Sequence, residues 1–560
     1  MLRAAAPVAP IHLSHRARLL IVSAVLMGLF LSALDQTIVG TALPTIVTDL
    51  GGNSLYVWVV TAYLLTSTVT VPMYGKLSDL FGRRPLLLIG ISIFLVGSAL
   101  SGLSQNMAEL IFFRGVQGLG AGALFPIALA VVGDLFSPRE RGRYQGLFGA
   151  VFGLSFLVGP FLGGYITDNI NWHWVFYVNV PIGLVALLVI AVVLPNTRQP
   201  NASSNLDYLG ALTFVAGVVP LLIGLTMKGV TDSHGQLYGW LDWRVGGLIA
   251  LAAVILGLFL LVEARAKEPI LPLDLFRSAT YSAIQVATFF ISFGFFAAVI
   301  LLPRYYQAVE GISATSSGYM IWPLLVGLIG TSIGAGQLVS HTGRYKRLLI
   351  VSAVLLGLGM FLMTHLTAHT GDVPLWAWML VVGLGVGPSM SVYTVVVQNA
   401  VPMNRLGVAT SSLTFFRQVG GTVGLAIAGT MVSSSFATRL PGQLVRAGVP
   451  RAVVDHLPRA NSSRLTGVGN LAAELRHTLP APLRGLAGVM AQGIHDALGL
   501  AIAQTFWLGV IAGGVALAAV VVMRELPLRT TFDSHQPASL APAAAVAAAT
   551  PERAVPEEVA

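Results

Sequence analysis

Three ionisable side chains stand deep inside long apolar stretches of this 560-residue sequence: Asp35, Arg114 and Arg417. A charge in hydrocarbon is expensive and persists where it does something. A carboxylate such as Asp35 can bind a proton or a cation, and a neighbouring guanidinium sets how readily it does so. Asp35 lies about 24 Å along a helix begun at Leu19, and Arg114 about 9 Å along one begun at Ala108 from the other side. In a hydrocarbon core about 30 Å thick those depths nearly coincide. Gln117 lies one turn from Arg114 on the same helix face. Asp35, Arg114 and Gln117 are therefore expected to share one polar cavity, as an exchange site or as a static buried ion pair. Arg417 either serves the second half of the chain or satisfies backbone carbonyls.

Such residues need elements that cross a bilayer, and the composition supplies them. Of the residues 55% are hydrophobic and only 10% charged, with a mean hydropathy of +0.80. A soluble domain carries about 25% charge. Runs long enough to span occur at 19–44, 55–75, 85–104, 108–132, 144–164, 174–194, 208–228, 245–264, 281–303, 314–337, 348–366, 374–397, 408–434 and 498–523. They are continuous rather than alternating in polarity, which makes them helices and not barrel strands. No small-residue cleavage site closes the first run before Asp35, so it is expected to stay as a span. The fold class is an all-α polytopic membrane protein.

The formal net charge of +9 has to be placed relative to the membrane before it can suggest nucleic acid. Short connections on one face carry Lys76, Arg83 and Arg84, then Arg139, Arg141 and Arg143, then Arg198, Arg265, Lys267 and Arg277, then Arg344, Lys346, Arg347 and Arg405. The termini on that face add Arg3, Arg16, Arg18, Arg524, Arg529 and Arg553, whereas the short connections opposite carry Lys228, Arg244 and Arg304. Basic excess marks the cytoplasmic side. Both termini are expected in the cytoplasm and the protein in the inner (cytoplasmic) membrane, multi-pass, in contact with lipid and not nucleic acid.

The chain also repeats itself. Gly75 to Gly336 and Gly82 to Gly343 are each offset by 261 residues, and so are Gly146 to Gly407, Gly159 to Gly420 and Gly163 to Gly424. That offset equals eight spans, so two six-span halves are separated by an inserted pair. The expected division is a cytoplasmic tail at 1–18, a six-helix bundle at 19–194, two inserted helices at 208–264 and a second six-helix bundle at 281–523. The second bundle carries an extracytoplasmic loop at 435–497, and a disordered cytoplasmic tail follows at 524–560. Parallel halves around a midplane site are a secondary-transporter architecture.

Two further stretches carry mechanism. Between Gly75 and Arg84, close-packing glycines (Gly75, Gly82), an acid (Asp79) and a basic pair (Arg83, Arg84) leave span 2 together. Asp79 suits a helix N-terminus in the other half, with Arg83 and Arg84 holding it, as a latch that one access state keeps and the other breaks. Topological charge alone would explain the arginines but neither Asp79 nor the glycines. Span 5 bears Gly146, Gly149, Gly153, Gly159, Pro160, Gly163 and Gly164, a surface for close helix approach with a bend at Pro160. Gly118, Gly120 and Gly122 imitate a nucleotide loop but lie inside an apolar span, where they read as packing.

The sequence has no cysteine, so disulfides and thiolate metal sites are excluded. It has no GxxxxGK[ST] phosphate loop and no metal or nucleophile constellation. It reads as neither an enzyme nor an ATP-driven pump, with no catalytic residues, metal or bound cofactor. Glu109, Glu263, Glu310 and Asp372 sit at span ends, where interfacial solvation is expected.

The residues resemble the major facilitator superfamily, and within it the fourteen-span drug:proton antiporter family of multidrug exporters. Gly75-Lys76-Leu77-Ser78-Asp79…Gly82-Arg83-Arg84 is similar to its loop motif, and Arg114-Gly115-Val116-Gln117-Gly118 to its span-4 motif. Gly153…Gly159-Pro160…Gly163-Gly164 is similar to the exporter motif of span 5, and Leu34-Asp35-Gln36-Thr37-Ile38-Val39 begins a span-1 motif. Trp172 to Gly183 and Phe416-Arg417-Gln418 also fit, while Gly40-Thr41 stands where Asn-Val is frequent. The resemblance implies proton-coupled export of hydrophobic, cationic or neutral drugs by alternating access, in a protein functional as a monomer. Asp35, Arg114 and Gln117 would couple protons to substrate, and the proton gradient would be the energy source. The alternative on the same fold is export of a lipid, siderophore or endogenous secondary metabolite.

Overall fold

In a computed structural model, the described residues are 14–51, 55–196, 207–228, 230, 238–455 and 471–529. Arg3, Arg198, Arg553 and the tail beyond Arg529 lie outside them.

Among the described residues, fourteen helices are long and apolar enough to cross a membrane. In chain order, spans 1 to 6 are His15–Leu50, Val57–Phe81, Arg83–Gly102, Met107–Leu135, Pro138–Asn169 and Trp174–Val193. Spans 7 and 8 are Tyr208–Met227 and Trp243–Glu263. Spans 9 to 14 are Ala279–Ala308, Trp322–Thr342, Lys346–Met363, Asp372–Ala400, Met403–Ala447 and Leu483–Val522. Local chemistry fixes several of their ends. Asn106 caps span 4 by accepting from the Glu109 amide, and Ser137 with Glu140 forms a capping box ahead of Pro138 at the start of span 5. Gly82, at φ +96°, makes the turn between spans 2 and 3 that a residue with a side chain resists.

Spans 1–6 bury two apolar clusters of their own and spans 9–14 bury a third. The inserted spans 7 and 8 pack on each other, and Phe214 of span 7 stacks obliquely on Phe415 of span 13 at 5.2 Å. Val69 of span 2 joins the same cluster, so the inserted pair lies along the seam between the halves. Span 8 leaves Leu251, Val254, Leu258 and Leu261 exposed, as a lipid-facing helix does.

The seam closes at the face where span 2 ends, hereafter the basic face. Two glycine pairs bring backbones together there. A side chain on Gly75 would collide with Ser411 and the Gly407 carbonyl of span 13, and one on Gly336 with the Gly142 carbonyl of span 5. The 261-residue repeat therefore appears in space as two equivalent crossings between halves. Within the first half, Gly120 meets Phe94 and Gly90 of span 3, which is packing and not phosphate binding.

Two stretches differ from the sequence-based expectation. Helix continues into the 435–497 loop as far as Ala447, and helices Arg451–Asp455 and Leu471–Thr478 follow. Polar residues such as Ser433, Thr438 and Arg439 are tolerated beyond the hydrocarbon, so hydropathy underestimates the helix. The start of the tail is docked and not disordered: Glu525 Oε1 accepts from the amides of Tyr345 (2.7 Å) and Lys346 (3.0 Å), capping span 11, and Asn399 Nδ2 donates to the Pro527 carbonyl at 3.1 Å.

Overpacking the contact between spans 3 and 4 should cost about 1–3 kcal/mol. Gly120→Val is therefore expected to lower the thermal midpoint of the purified protein. Gly257→Val, where a side chain meets open space, should leave it unchanged.

Candidate functional site

Asp35 is fully buried, and four helices converge on it. Arg114 Nη1 donates to its Oδ2 at 2.5 Å, while Gln117 Nε2 and Asn179 Nδ2 donate to its Oδ1 at 2.8 and 3.1 Å. Arg114 Nη1 also donates to Gln117 Oε1 at 2.7 Å. Asn179 is tied back to Ser98 Oγ at 3.1 Å, and Ser98 donates to the Phe176 carbonyl at 2.8 Å. The Tyr63 ring lies under the guanidinium, 4.2 Å from Cζ to centroid. Every hydrogen bond to the carboxylate is donated to it, by groups that cannot also accept through those atoms. The arrangement offers donors to both oxygens of Asp35, two on Oδ1 and Arg114 alone on Oδ2.

Asp35, Arg114 and Gln117 thus meet as the spacing argument expects. Asn179, Tyr63 and Ser98 are additional. Asn179 and Ser98 are polar residues inside apolar spans, a detectable but weak signal, whereas Tyr63 has none.

The second assembly sits at the basic face. Asp79 Oδ1 accepts from the Gly407 amide at 3.0 Å and Oδ2 from the Val408 amide at 2.9 Å, at the start of the helix Leu406–Ala447. This is a carboxylate on a helix N-terminus across the seam, favourable in both hydrogen bonding and dipole. Arg83 bridges Asp79 at 2.6 Å and Asp134 of span 4 at 2.9 Å. Arg84 does not join them: it donates to the Ala191 carbonyl at the end of span 6. At the repeat-related crossing Ser340 occupies the place of Asp79 and accepts from the Arg143 amide at 3.0 Å. Arg139 there donates to the carbonyls of Ser340 and His341, both at 3.0 Å, closing the end of span 10.

Span 5 runs between these assemblies. Toward the basic face Gly146, Gly149 and Gly153 lie against Ser332 and Ile329 of span 10, in the other half. Further along, Gly159 and Gly163 lie against Thr37 and Ile38 of span 1, in its own half. Pro160 meets Gly318 of the short helix Ala314–Met320, and Gly164 is buried. Gly40 faces open space. Arg417 is buried in span 13, apart from the Asp35 cluster. Glu109 braces the start of span 4, accepting from Gln105 N and Asn106 Nδ2. Glu263 is not solvated as expected: it is 2% exposed and accepts from the Leu271 amide, because the 264–272 linker folds over it.

Helical halves that close on each other across such a seam are the architecture of secondary transporters. The chain belongs to one family of them, the Major Facilitator Superfamily, which matches residues 25–425. It is a membrane transporter and not an enzyme. It is 41% identical over 469 residues to "Multidrug transporter protein MdtP" of Bacillus subtilis, covering 84% of this chain and 83% of that one. To the "Acurin A biosynthesis cluster MFS-type transporter" of Aspergillus aculeatus it is 34% identical, covering 73% and 74%. The human organic anion transporter MFSD10 shares the fold, with a TM-score of 0.58 over 90% of this chain and 99% of that one at 16% identity.

Because the chain has no cysteine, Ser411→Cys introduces a single reporter beneath the Gly75 crossing. Removing two charge-assisted hydrogen bonds, each worth about 1.5–3 kcal/mol, should loosen that crossing. In an Asp79→Ala background, labelling of the reporter by an impermeant maleimide is expected to rise at least about tenfold; an unchanged rate would remove the latch role.

Proposed function

We propose that this protein is a proton-driven antiporter that exports hydrophobic compounds from the cytoplasm across the inner membrane by alternating access. The carrying observation is the donor-only environment of Asp35. Proton uptake at Asp35 removes the charge around which Arg114, Gln117 and Asn179 gather, which loosens the ties between spans 1, 4 and 6. The basic residues support a cytoplasmic latch face, which makes the conformation seen one closed to the cytoplasm. Asp79, Arg83 and the Gly75 and Gly336 crossings are the cytoplasmic gate, Arg84 anchors span 3 to span 6, and span 5 is the surface on which the halves move. The proton gradient is the energy source, the spans face lipid, and one chain suffices.

The multidrug relative supports foreign lipophilic compounds as cargo. The biosynthetic-cluster relative supports an endogenous metabolite as the second reading.

The test is substrate-induced proton movement in inverted vesicles, with a panel of lipophilic compounds. The wild type is expected to discharge an imposed pH gradient when cargo is added, and Asp35→Asn to abolish that response, a loss of about 100-fold or more. A response that survives the substitution would move the proton site elsewhere.

A further inference from the structure

Arg417 has no counter-charge among the described residues. Its residue is 5% exposed, and its guanidinium lies between Ser389 of span 12 and the ring of Phe125 of span 4. Nη2 donates to the Ser389 carbonyl at 3.4 Å, a long contact, and the Phe125 centroid is 5.4 Å from Cζ. Nη1 has no partner, and no carboxylate pairs with Arg417 among the described residues. The other deeply buried arginines are better provided for, although Arg114 Nε and Arg141 Nη1 also have no partner. Arg114 has Asp35, Arg83 has Asp79 and Asp134, and Arg141 donates to the carbonyls of Phe136 and Gly133 at 3.0 and 2.6 Å. A guanidinium placed to cap carbonyls looks like Arg141. Arg417 does not.

Its position is as informative as its isolation. Arg417 lies about 16 Å along the helix from Leu406, near the middle of a core about 30 Å thick. Phe125 belongs to the first half and Ser389 to the second, so the guanidinium stands in the seam at mid-membrane, where a two-half transporter holds its cargo. One turn along span 12 from Ser389, on the same face, Tyr393 has a buried hydroxyl without a partner. Asp35 and Arg114 neutralise each other, which leaves Arg417 as the uncompensated charge of this region.

We propose that Arg417 anchors an anionic group of the transported compound, a carboxylate or similar oxyanion, with the Phe125 ring flanking its apolar body. A planar fork of donors matches two oxyanion oxygens at once, and an arriving anion supplies the charge that burial has left missing. The cargo is then an amphipathic organic acid. Lipophilic cations meet an unpaired positive charge and are excluded, which departs from the cationic or neutral cargo implied by family resemblance. The inference rests on the export reading above.

The test uses three probes with one apolar body: pyrenebutyrate, its methyl ester and the trimethylammonium analogue. Binding is measured by fluorescence to purified full-length protein in phosphatidylcholine nanodiscs. The wild type is expected to bind the acid at least about tenfold more tightly than the ester. Arg417→Gln should erase that preference while leaving ester affinity within about twofold, which also shows that the variant is folded, and Arg417→Lys should keep part of it. Acid bound no better than ester by the wild type, or a preference that survives Arg417→Gln, would overturn the proposal. Proton-driven movement of the same probes in proteoliposomes separates the two claims. An acid preference without such movement keeps the anion site and removes the export reading. Proton-driven movement of the ester or ammonium without acid preference keeps export and removes the anion site.

Discussion

A carboxylate buried in a membrane protein has to be compensated, and the compensation of Asp35 organises the first half of this chain. Its partners come from span 4 (Arg114, Gln117) and span 6 (Asn179), with Tyr63 of span 2 beneath the guanidinium. Breaking a buried pair by removing one charge costs about 3–5 kcal/mol. The helices that carry the donors therefore cannot drift while Asp35 is ionised. In the cycle we propose, a proton on Asp35 weakens these ties and leaves Arg114 to Gln117 and the Tyr63 ring.

Span 4 links that cluster to the basic face. It carries Arg114 near one end and Asp134 near the other, and Asp134 holds Arg83, which holds Asp79 against the start of span 13. Span 1 has a parallel route, since Thr37 donates to the Ser155 carbonyl of span 5 at 3.1 Å and span 5 crosses to span 10 through Gly142 and Gly146. Both routes run along helices and end at the two repeat-related crossings. In the cycle we propose, movement at the buried cluster reaches the seam on the basic face along these helices. The two crossings differ in chemistry. Asp79 puts a carboxylate on one of them, while Ser340 leaves the other without an acid and Arg139 supplies its charge.

The sequence carried much of this, and what it withheld has physical reasons. Asp35 and Arg114 were legible because charge inside an apolar run is costly, and helix rise alone set their depths. The Gly75 and Gly336 crossings were legible because a repeat offset is independent of fold. Asn179 was harder to read, because a neutral amide in a span is cheap enough to have structural uses. Tyr63 looks like any interior aromatic. Arg84 sits beside Arg83 yet serves a different helix, since neighbours on a helix point about 100° apart. The burial of Glu263 and the docking of Glu525 depend on how linkers fold back, which no local pattern encodes.

The most direct test is the distance between spin labels at Phe81→Cys and Asn404→Cys, either side of the seam on the basic face, in the otherwise cysteine-free protein. If protonation of Asp35 releases the cluster and opens the cytoplasmic gate, the wild type lengthens this distance between mildly alkaline and mildly acidic pH. Asp35→Asn then holds the longer distance at both. A pH response that persists in Asp35→Asn, or a wild type with none, would contradict the account.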